Sequence, residues 1–211
     1  MKTILCYGDS NTWGYVPGKG TRFPKDVRWT GVLQNILGDE YEVIEAGLCG
    51  RTTIWDDPFN EFVNGEKTLL PILRQAAPLN LVILSLGLND LRWYNAWDAA
   101  MGNDKLIQII GSHEELLFEG KPNVLLVSPT LLEEKYTDFM ANPDSPCSRE
   151  ETMKFAGYYK TVADFRGIPF FDASTVARAV PLGPGDGAHL GEDGHQALGQ
   201  ALAEEVKKIL G

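Results

Sequence analysis

The sequence predicts an α/β protein, a three-layer α/β/α sandwich built on a five-stranded parallel sheet. Short apolar runs alternate along the chain with longer segments of helical periodicity. Two of the short runs, LVILSL and VLLVS, are almost continuously apolar, which is typical of strands covered on both faces. No repeat or low-complexity segment divides the 211 residues, so we expect a single domain over residues 1–211.

The elements are predicted from this alternation. The strands are Thr3–Tyr7, Tyr41–Glu45, Leu81–Leu86, Val124–Ser128 and Pro169–Phe171. The helices are Trp29–Leu37, Glu66–Ala76, Leu106–Phe118, Arg149–Phe165 and Asp193–Leu210. Glycine follows several helices, as at Gly38, Gly120 and Gly167, which is the usual signal of a helix C-terminus. Active sites of parallel sheets lie at the carboxyl ends of the strands, so the strand exits are the places to search.

Composition excludes several classes of function. The formal net charge of -10 argues against general nucleic-acid binding and against anionic membranes. No run approaches the roughly 18 apolar residues of a membrane span, and the N-terminal run of about five is too short for a signal peptide. Three cysteines, Cys6, Cys49 and Cys147, form no CxxC pair or zinc spacing, which favours a reduced, cytoplasmic protein. Cys6 lies in an apolar run and is interpreted as a core residue.

Small and polar residues follow three of the predicted strands. Gly8-Asp9-Ser10 follows the first strand, AGLCGRTT (residues 46–53) the second, and GLND (residues 87–90) the third. A fourth polar cluster, GDGAH (residues 185–189), precedes the last helix. In a parallel sheet these four segments gather at one edge.

Ser10 is the first candidate, because a serine hydroxyl at a strand exit can act as a nucleophile if a histidine activates it. Two of the three histidines are expected at the surface: His113 lies inside a helical pattern, and His195 lies in the first turn of the last helix. His189 follows Asp186 by three residues, so the carboxylate could orient its ring. The alternative is structural, with Ser10 as a helix cap and Asp186 and His189 shaping a turn.

Acyl transfer also needs donors for the developing oxyanion, which usually supply the largest catalytic contribution. The candidates are the Ser10 N–H, the Gly47 N–H and the Asn89 side-chain amide. The alternative readings are that Gly47 and Gly87 are turn glycines and that Asn89-Asp90 is a helix cap. Each alternative is plausible alone, but together the strand exits carry every role that one reaction requires.

These blocks bring a known family into view. GDS at 8–10, Gly47, GLND at 87–90 and DGAH at 186–189 resemble the GDSL/SGNH hydrolases in order and spacing. GDSNTWG, DVRWTGVL, EVIEAGLCGRTT and DDP are similar to the small cytoplasmic arylesterases and acyltransferases of that family. Asn11 stands where the name-giving motif has Leu. The resemblance implies the flavodoxin-like SGNH hydrolase fold and a reaction that requires no metal or organic cofactor.

The resemblance also implies roles. Ser10 would be the nucleophile, His189 the base and then the acid, and Asp186 its orienting partner. Ser10, Gly47 and Asn89 would form the oxyanion hole, and Asp9 would organise the loop. The implied activity is hydrolysis of short-chain acyl or aryl esters through an acyl-serine, which water or an alcohol then resolves. The implied partner is a small-molecule ester, and relatives of this type often assemble into homo-oligomers.

The substrate pocket is predicted from residues next to these blocks: Trp13, Leu48, Leu88, Trp93 and Trp97. The alternative for these tryptophans is that they pack in the core or at a subunit contact. The same two interpretations apply to Trp55, whereas Trp29 is predicted to lie in the core. Residues 129–148 form a long connection that we interpret as a lid or an oligomer interface.

Two other functions compete with this reading. A non-catalytic nucleotide- or flavin-binding module could use the same architecture, but the chain lacks GxGxxG and GxxxxGK[ST] at the first strand exit. Carbohydrate O-deacetylation would use the same residues and differ only in the alcohol part of the ester. The absence of GxSxG argues against an ordinary α/β-hydrolase elbow.

Overall fold

Five parallel strands form the central sheet of the computed structural model, which describes residues 1–118, 123–136 and 145–211. The strands are β1 (Lys2–Gly8), β2 (Tyr41–Gly47), β3 (Leu81–Ser85), β4 (Val124–Ser128) and β5 (Phe170–Asp172). Their order in the sheet is β2-β1-β3-β4-β5, and every neighbouring pair is parallel. The predicted fold class is confirmed.

The helices cover both faces of this sheet. In the described part of the chain they are α1 (Ser10–Trp13), α2 (Trp29–Leu37), α3 (Gly65–Ala76), α4 (Ala96–Gly111), α5 (Glu114–Leu117), α6 (Arg149–Thr152), α7 (Phe155–Arg166) and α8 (Glu192–Leu210). Short 3₁₀ turns lie at Gly38–Glu40, Asn89–Arg92 and Ala173–Thr175. None of the helices among these residues is long and apolar enough to cross a bilayer.

The core is divided by the sheet into two apolar layers. Side chains alternate along β1, so that Leu5 and Tyr7 pack on one face with α3, α4 and α7, whereas Ile4 and Cys6 pack on the other with α2 and α8. Cys6 and Trp29 are buried, as expected from their apolar surroundings. Burial on both faces explains why β3 and β4 are continuously apolar in sequence.

The strand order places a topological switch point between β1 and β3. From β1 the chain passes to β2 on one side, and β3 then returns on the other side of β1. Connections that diverge in this way leave a crevice at the carboxyl ends of the two strands. Ser10 follows β1 and Asn89 follows β3, so both residues border this crevice.

Two predicted helices are each divided. The segment predicted as Leu106–Phe118 belongs to α4 and α5; α4 begins at Ala96 because Asn95 and Asp98 form a reciprocal capping box. His113 therefore lies in the turn between them, where its Nδ1 is 2.9 Å from the carbonyl oxygen of Ile109. The segment predicted as Arg149–Phe165 is likewise divided into α6 and α7, and Gly120 lies outside the described residues.

The surface position predicted for His195 is wrong, because its side chain is fully buried between α8 and α2. The main-chain N–H of Trp29 donates to His195 Nδ1 at 3.2 Å. Trp29 is the first residue of α2, and Arg28 before it supplies no side-chain cap, so His195 satisfies an N–H that the helix leaves free. Burial, together with the charges of His189 and Arg28, lowers the pKa of His195 to about 4.

Candidate active site

Ser10 is held at the exit of β1 by its two neighbours in the motif. A Cβ on Gly8 would lie 2.0 Å from Thr12 Oγ1, so only glycine lets α1 pack this closely over the strand end. Asp9 accepts the Asn11 N–H at 2.9 Å and caps α1. Burial raises the pKa of Asp9 to about 6, although this hydrogen bond and the charges of His189 and Arg51 oppose the shift.

The Ser10 hydroxyl lies in a hydrogen-bonded relay. Its Oγ is 2.8 Å from His189 Nε2, and His189 Nδ1 is 2.8 Å from Asp186 Oδ2. An ionised carboxylate only accepts hydrogen bonds, so His189 donates through Nδ1–H and its Nε2 accepts the serine proton. This is the arrangement in which a histidine can remove the proton of an attacking serine.

Asp186 is fixed by main-chain donors as well as by the histidine. Its Oδ1 accepts the N–H groups of Ala188 at 3.0 Å and His189 at 2.9 Å, and its Oδ2 accepts the Gly18 N–H at 3.2 Å. Burial disfavours the charged form, but the hydrogen bonds from His189 and the main chain outweigh it and hold the pKa of Asp186 well below its usual value. Asp186 is therefore ionised at neutral pH.

Two further side chains hold His189, and sequence reasoning did not assign either role. The Tyr15 ring lies against the imidazole, with ring centroids 4.3 Å apart. The Asn11 side-chain oxygen accepts the N–H of Leu190 at 2.9 Å. The sequence carries one signal for the position of Tyr15, which is the glycine before it. Gly14 ends α1 in the left-handed conformation (φ 86°), so the chain changes direction there.

The relay opens into a cleft of about 500 Å³. Its lining combines the relay with glycines, polar groups and apolar side chains: Ser10, Tyr15, Gly18, Cys49, Gly50, Leu88, Asn89, Arg92, Leu132, Tyr136, Cys147, Gly185, Asp186, Ala188 and His189. Arg92 makes an ion pair with Asp57 at 3.6 Å. Burial raises the pKa of Cys49 to about 11, and the nearby charge of Asp9 adds to the shift. Among the described residues, no group of three His, Cys, Asp or Glu side chains could hold a metal ion.

The oxyanion candidate in the second block requires correction. Gly47 does not line the cleft; it packs against α1, where an added Cβ would lie 2.1 Å from the Trp13 nitrogen. Gly50 lines the cleft instead, together with Ser10 and Asn89. The physical reason is that β2 continues in register with β1 as far as Gly47, two residues beyond its predicted end, so the exit loop begins later.

Only one of the five predicted pocket residues borders the cleft. Leu88 lines it, whereas four do not: Trp13, Leu48, Trp93 and Trp97. Trp13 lies beneath the Arg22 guanidinium, 4.9 Å from the ring centroid. Trp97 is in the first turn of α4, where it packs edge-on against Tyr158. Trp55 stacks on Tyr94, with centroids 4.3 Å apart.

The connection over residues 129–148 contributes to the cleft through Leu132, Tyr136 and Cys147. The Glu133 N–H donates to the Gly187 carbonyl at 2.9 Å, which joins this connection to the loop that carries the histidine. Residues 137–144 lie outside the described residues, so the lid or interface predicted for this connection falls partly on them.

The switch-point sheet and the serine–histidine–aspartate relay together define the site of a serine hydrolase. The family model of the GDSL-like lipase/acylhydrolase family matches residues 6–197. The chain belongs to this family and is a carboxylic ester hydrolase, not a nucleotide- or flavin-binding module. The resemblance noted in the sequence is confirmed.

Solved structures give the same result. The native aryl esterase of M. smegmatis is 38% identical with a TM-score of 0.88, and the match covers 100% of both chains. Est24, a carbohydrate acetylesterase from Sinorhizobium meliloti, is 33% identical with a TM-score of 0.89, again over 100% of both chains. A lipolytic G-D-S-L protein from Veillonella parvula DSM 2008, at 15% identity, TM-score 0.66 and coverage of 99% and 100%, shows the fold alone. Comparison with curated proteins gave no match.

Proposed function

We propose that the protein hydrolyses small esters through an acyl intermediate on Ser10, and that His189 and Asp186 activate this serine. The observation that carries the proposal is the pair of 2.8 Å contacts that join the three side chains at the floor of the cleft. His189 takes the Ser10 proton as Oγ attacks the ester carbonyl, and then delivers it to the leaving alkoxide. Water, activated by the same imidazole, releases the acid.

The oxyanion formed in each step would be held by three donors, namely the Ser10 N–H, the Gly50 N–H and the Asn89 side-chain amide. All three residues line the cleft beside the nucleophile. One Asn89 amide hydrogen is donated to the Arg51 carbonyl at 3.1 Å, which fixes the amide plane and leaves the second hydrogen for the oxyanion. Donors that are already oriented toward the oxyanion lower the activation free energy more than donors that must reorient during the reaction.

The substrate class follows from the size and lining of the cleft. A volume of about 500 Å³ accommodates a small ester, and Leu88, Leu132, Tyr15 and Tyr136 offer apolar contact. Similarity to an aryl esterase and to a carbohydrate acetylesterase supports short acyl groups with an aryl or sugar alcohol. An alcohol that enters in place of water would accept the acyl group. We place the enzyme in the cytoplasm and expect it to form a homo-oligomer.

The test is p-nitrophenyl acetate hydrolysis by the wild type, Ser10→Ala, His189→Ala and the double variant. Each single substitution should remove nearly all activity, and the double variant should be little worse, because the two residues act as one unit. Ser112→Ala and His113→Ala, in the turn after α4, are matched controls that should retain wild-type kcat/KM. Retained hydrolysis in Ser10→Ala would overturn the proposal.

A substrate series separates the remaining possibilities. Acetate-to-octanoate esters of p-nitrophenol measure the acyl limit of the cleft, and acetylated sugars assayed beside phenyl acetate compare the two kinds of alcohol. Adding a primary alcohol in water, with the transferred ester measured by chromatography, shows whether acyl transfer competes with hydrolysis.

A further inference from the structure

Arg51 is a buried cation whose guanidinium makes no ion pair with a described carboxylate. Its side chain lies over the Tyr7 ring, 4.1 Å from the centroid, and its Nε has no hydrogen-bond partner among the described residues. Burying a guanidinium that contacts no carboxylate is unfavourable, so a position of this kind requires an explanation beyond stability. Burial lowers the pKa of Arg51, while Tyr7 and Asp9 oppose the shift.

The guanidinium binds the ends of two neighbouring strands. Nη1 donates to the Gly8 carbonyl at 2.8 Å and also to the Ala46 carbonyl. Gly8 is the last residue of β1 and lies two residues before Ser10. Ala46 lies at the end of β2, just before the loop that carries Gly50. The side chain therefore fixes the origins of both segments that supply main-chain donors to the site.

The main chain of the same residue completes the arrangement. The Arg51 N–H donates to the Leu48 carbonyl at 3.1 Å and closes a four-residue turn. Gly50 takes the third position of this turn with φ 79°, a left-handed conformation that favours glycine. The Arg51 carbonyl accepts the Asn89 amide at 3.1 Å. All three proposed oxyanion donors are thus close to Arg51. Asn89 donates to its carbonyl, Gly50 precedes it in the chain, and Ser10 lies two residues after the Gly8 carbonyl that its side chain binds.

We propose that Arg51 is the positioning residue of the oxyanion hole: its buried guanidinium joins the two strand ends so that Ser10, Gly50 and Asn89 present their donors to one point. The inference rests on the proposed function. Displacement of such donors by about 1 Å is enough to slow an enzymatic reaction strongly, while substrate binding in the cleft is largely unaffected. Loss of the side chain should therefore lower kcat far more than it changes KM.

The experiment uses Arg51→Met, which keeps much of the side-chain volume, and Arg51→Lys, which keeps the charge but not the planar guanidinium that lies over Tyr7. We expect Arg51→Met to lower kcat about 10- to 100-fold with KM within about threefold, and Arg51→Lys to fall between it and the wild type. The inhibition constant of a trifluoromethyl ketone, whose adduct with Ser10 carries an oxyanion, should rise by the same factor as kcat/KM falls. Arg166→Met, which breaks the Arg166–Asp104 ion pair away from the cleft, is the matched control.

Titration of Ser10 with a p-nitrophenyl phosphonate counts the competent enzyme in every preparation. If the Arg51 variants have only fewer titratable sites, with wild-type kcat and ketone affinity per site, Arg51 is structural and the inference is overturned. If Arg51→Met does not fold, Arg51→Lys carries the same comparison. Ser10→Ala separates the two proposals: its retained activity would reject the proposed function, whereas an inactive Ser10→Ala beside wild-type Arg51 variants would reject only the role of Arg51.

Discussion

The side-chain oxygen of Asn11 accepts the main-chain N–H of Leu190 at 2.9 Å. This bond joins the residue after Ser10 to the residue after His189, although the two lie 179 positions apart in the chain. Leu190 is fully buried, so its N–H cannot turn to water if the acceptor is removed. Asn11, which departs from the name-giving motif, is thus part of the framework that holds the relay together.

Asn11→Leu, which introduces the residue of that motif, should weaken both stability and activity. A buried N–H left without a partner costs about 1–3 kcal/mol in the free energy of unfolding. Loss of the tie to the histidine loop should also lower kcat about tenfold. Urea unfolding and p-nitrophenyl acetate kinetics measure the two effects.

Asn80→Leu is the matched control for this change. Asn80 accepts the Thr3 N–H at 2.8 Å near the start of β1, at the amino-terminal end of the strands and away from the cleft. It should lose comparable stability while kcat per folded molecule stays at the wild-type value. Equal losses of kcat in the two variants would contradict a specific role for Asn11.

Alanine at Gly47 and at Gly50 should produce different defects. At Gly47 the new Cβ would meet the Trp13 main chain at 2.1 Å, which cannot move aside, so Tm should fall strongly. At Gly50 the nearest atom is 3.4 Å from the new Cβ, and strain at φ 79° should lower the free energy of unfolding by only about 1–2 kcal/mol. Because Gly50 is a proposed oxyanion donor, kcat should fall more in Gly50→Ala than in Gly47→Ala. Calorimetry and kinetics on both variants measure these effects, and a Gly47→Ala enzyme with wild-type Tm would contradict close packing of Gly47 against the Trp13 main chain.

These glycines also show what the sequence could and could not predict. Ser10, Asp186 and His189 are predicted from four short blocks that together resemble a known family, because each block alone leaves a structural alternative open. Gly50 was missed because the end of β2 depends on its pairing with β1, which no local pattern reveals. The position of Trp97 just after GLND predicts a pocket residue, but the capping box at Asn95 starts α4 there and Trp97 lies in its first turn.

His195 shows a second kind of limit. The apolar periodicity of α8 predicts a buried face that contains Leu198, Leu202 and Val206. It does not predict burial of His195, because histidine counts as polar in such a pattern. The ring is buried because it supplies an acceptor to the start of another helix, and that partner lies 166 positions away in the chain. Long-range hydrogen bonds of this kind leave no local signal.

Stability should fall at mildly acidic pH because of His195. In the unfolded chain the imidazole binds a proton below its ordinary pKa of 6.5, whereas the folded state keeps it neutral down to about pH 4. The free energy of unfolding should therefore decrease as the pH falls from 6.5 to about 4, by up to about 3 kcal/mol from this residue. His195→Asn keeps an acceptor for the Trp29 N–H and should remove this contribution. Urea unfolding across this range tests it, and an unchanged slope in the variant would count against it.

Asp90 should contribute the opposite pH dependence. Burial raises the pKa of Asp90 to about 7, although the Thr53 N–H and hydroxyl donate to it. The folded state therefore holds a proton that the unfolded state loses near pH 3.8, and stability falls as the pH rises from 3.8 to 7, on the order of 4 kcal/mol. Asp90→Asn keeps an acceptor for Thr53, so its stability relative to the wild type should improve between pH 5 and pH 8. The free energy of unfolding of both proteins is measured at pH 5 and pH 8. The same difference between variant and wild type at the two pH values would reject this prediction.

The 2.8 Å contact between Ser10 and His189 spans 179 positions of the chain. Ser10 follows β1 and His189 follows β5, with β3 and β4 between these strands. A refolding chain can activate its serine only after three strand pairings have formed and the histidine loop has docked. Partly folded species therefore do not hydrolyse the ester. Recovery of ester hydrolysis after dilution from urea measures the rate at which the complete site forms, whereas circular dichroism at 222 nm also detects the earlier folding steps.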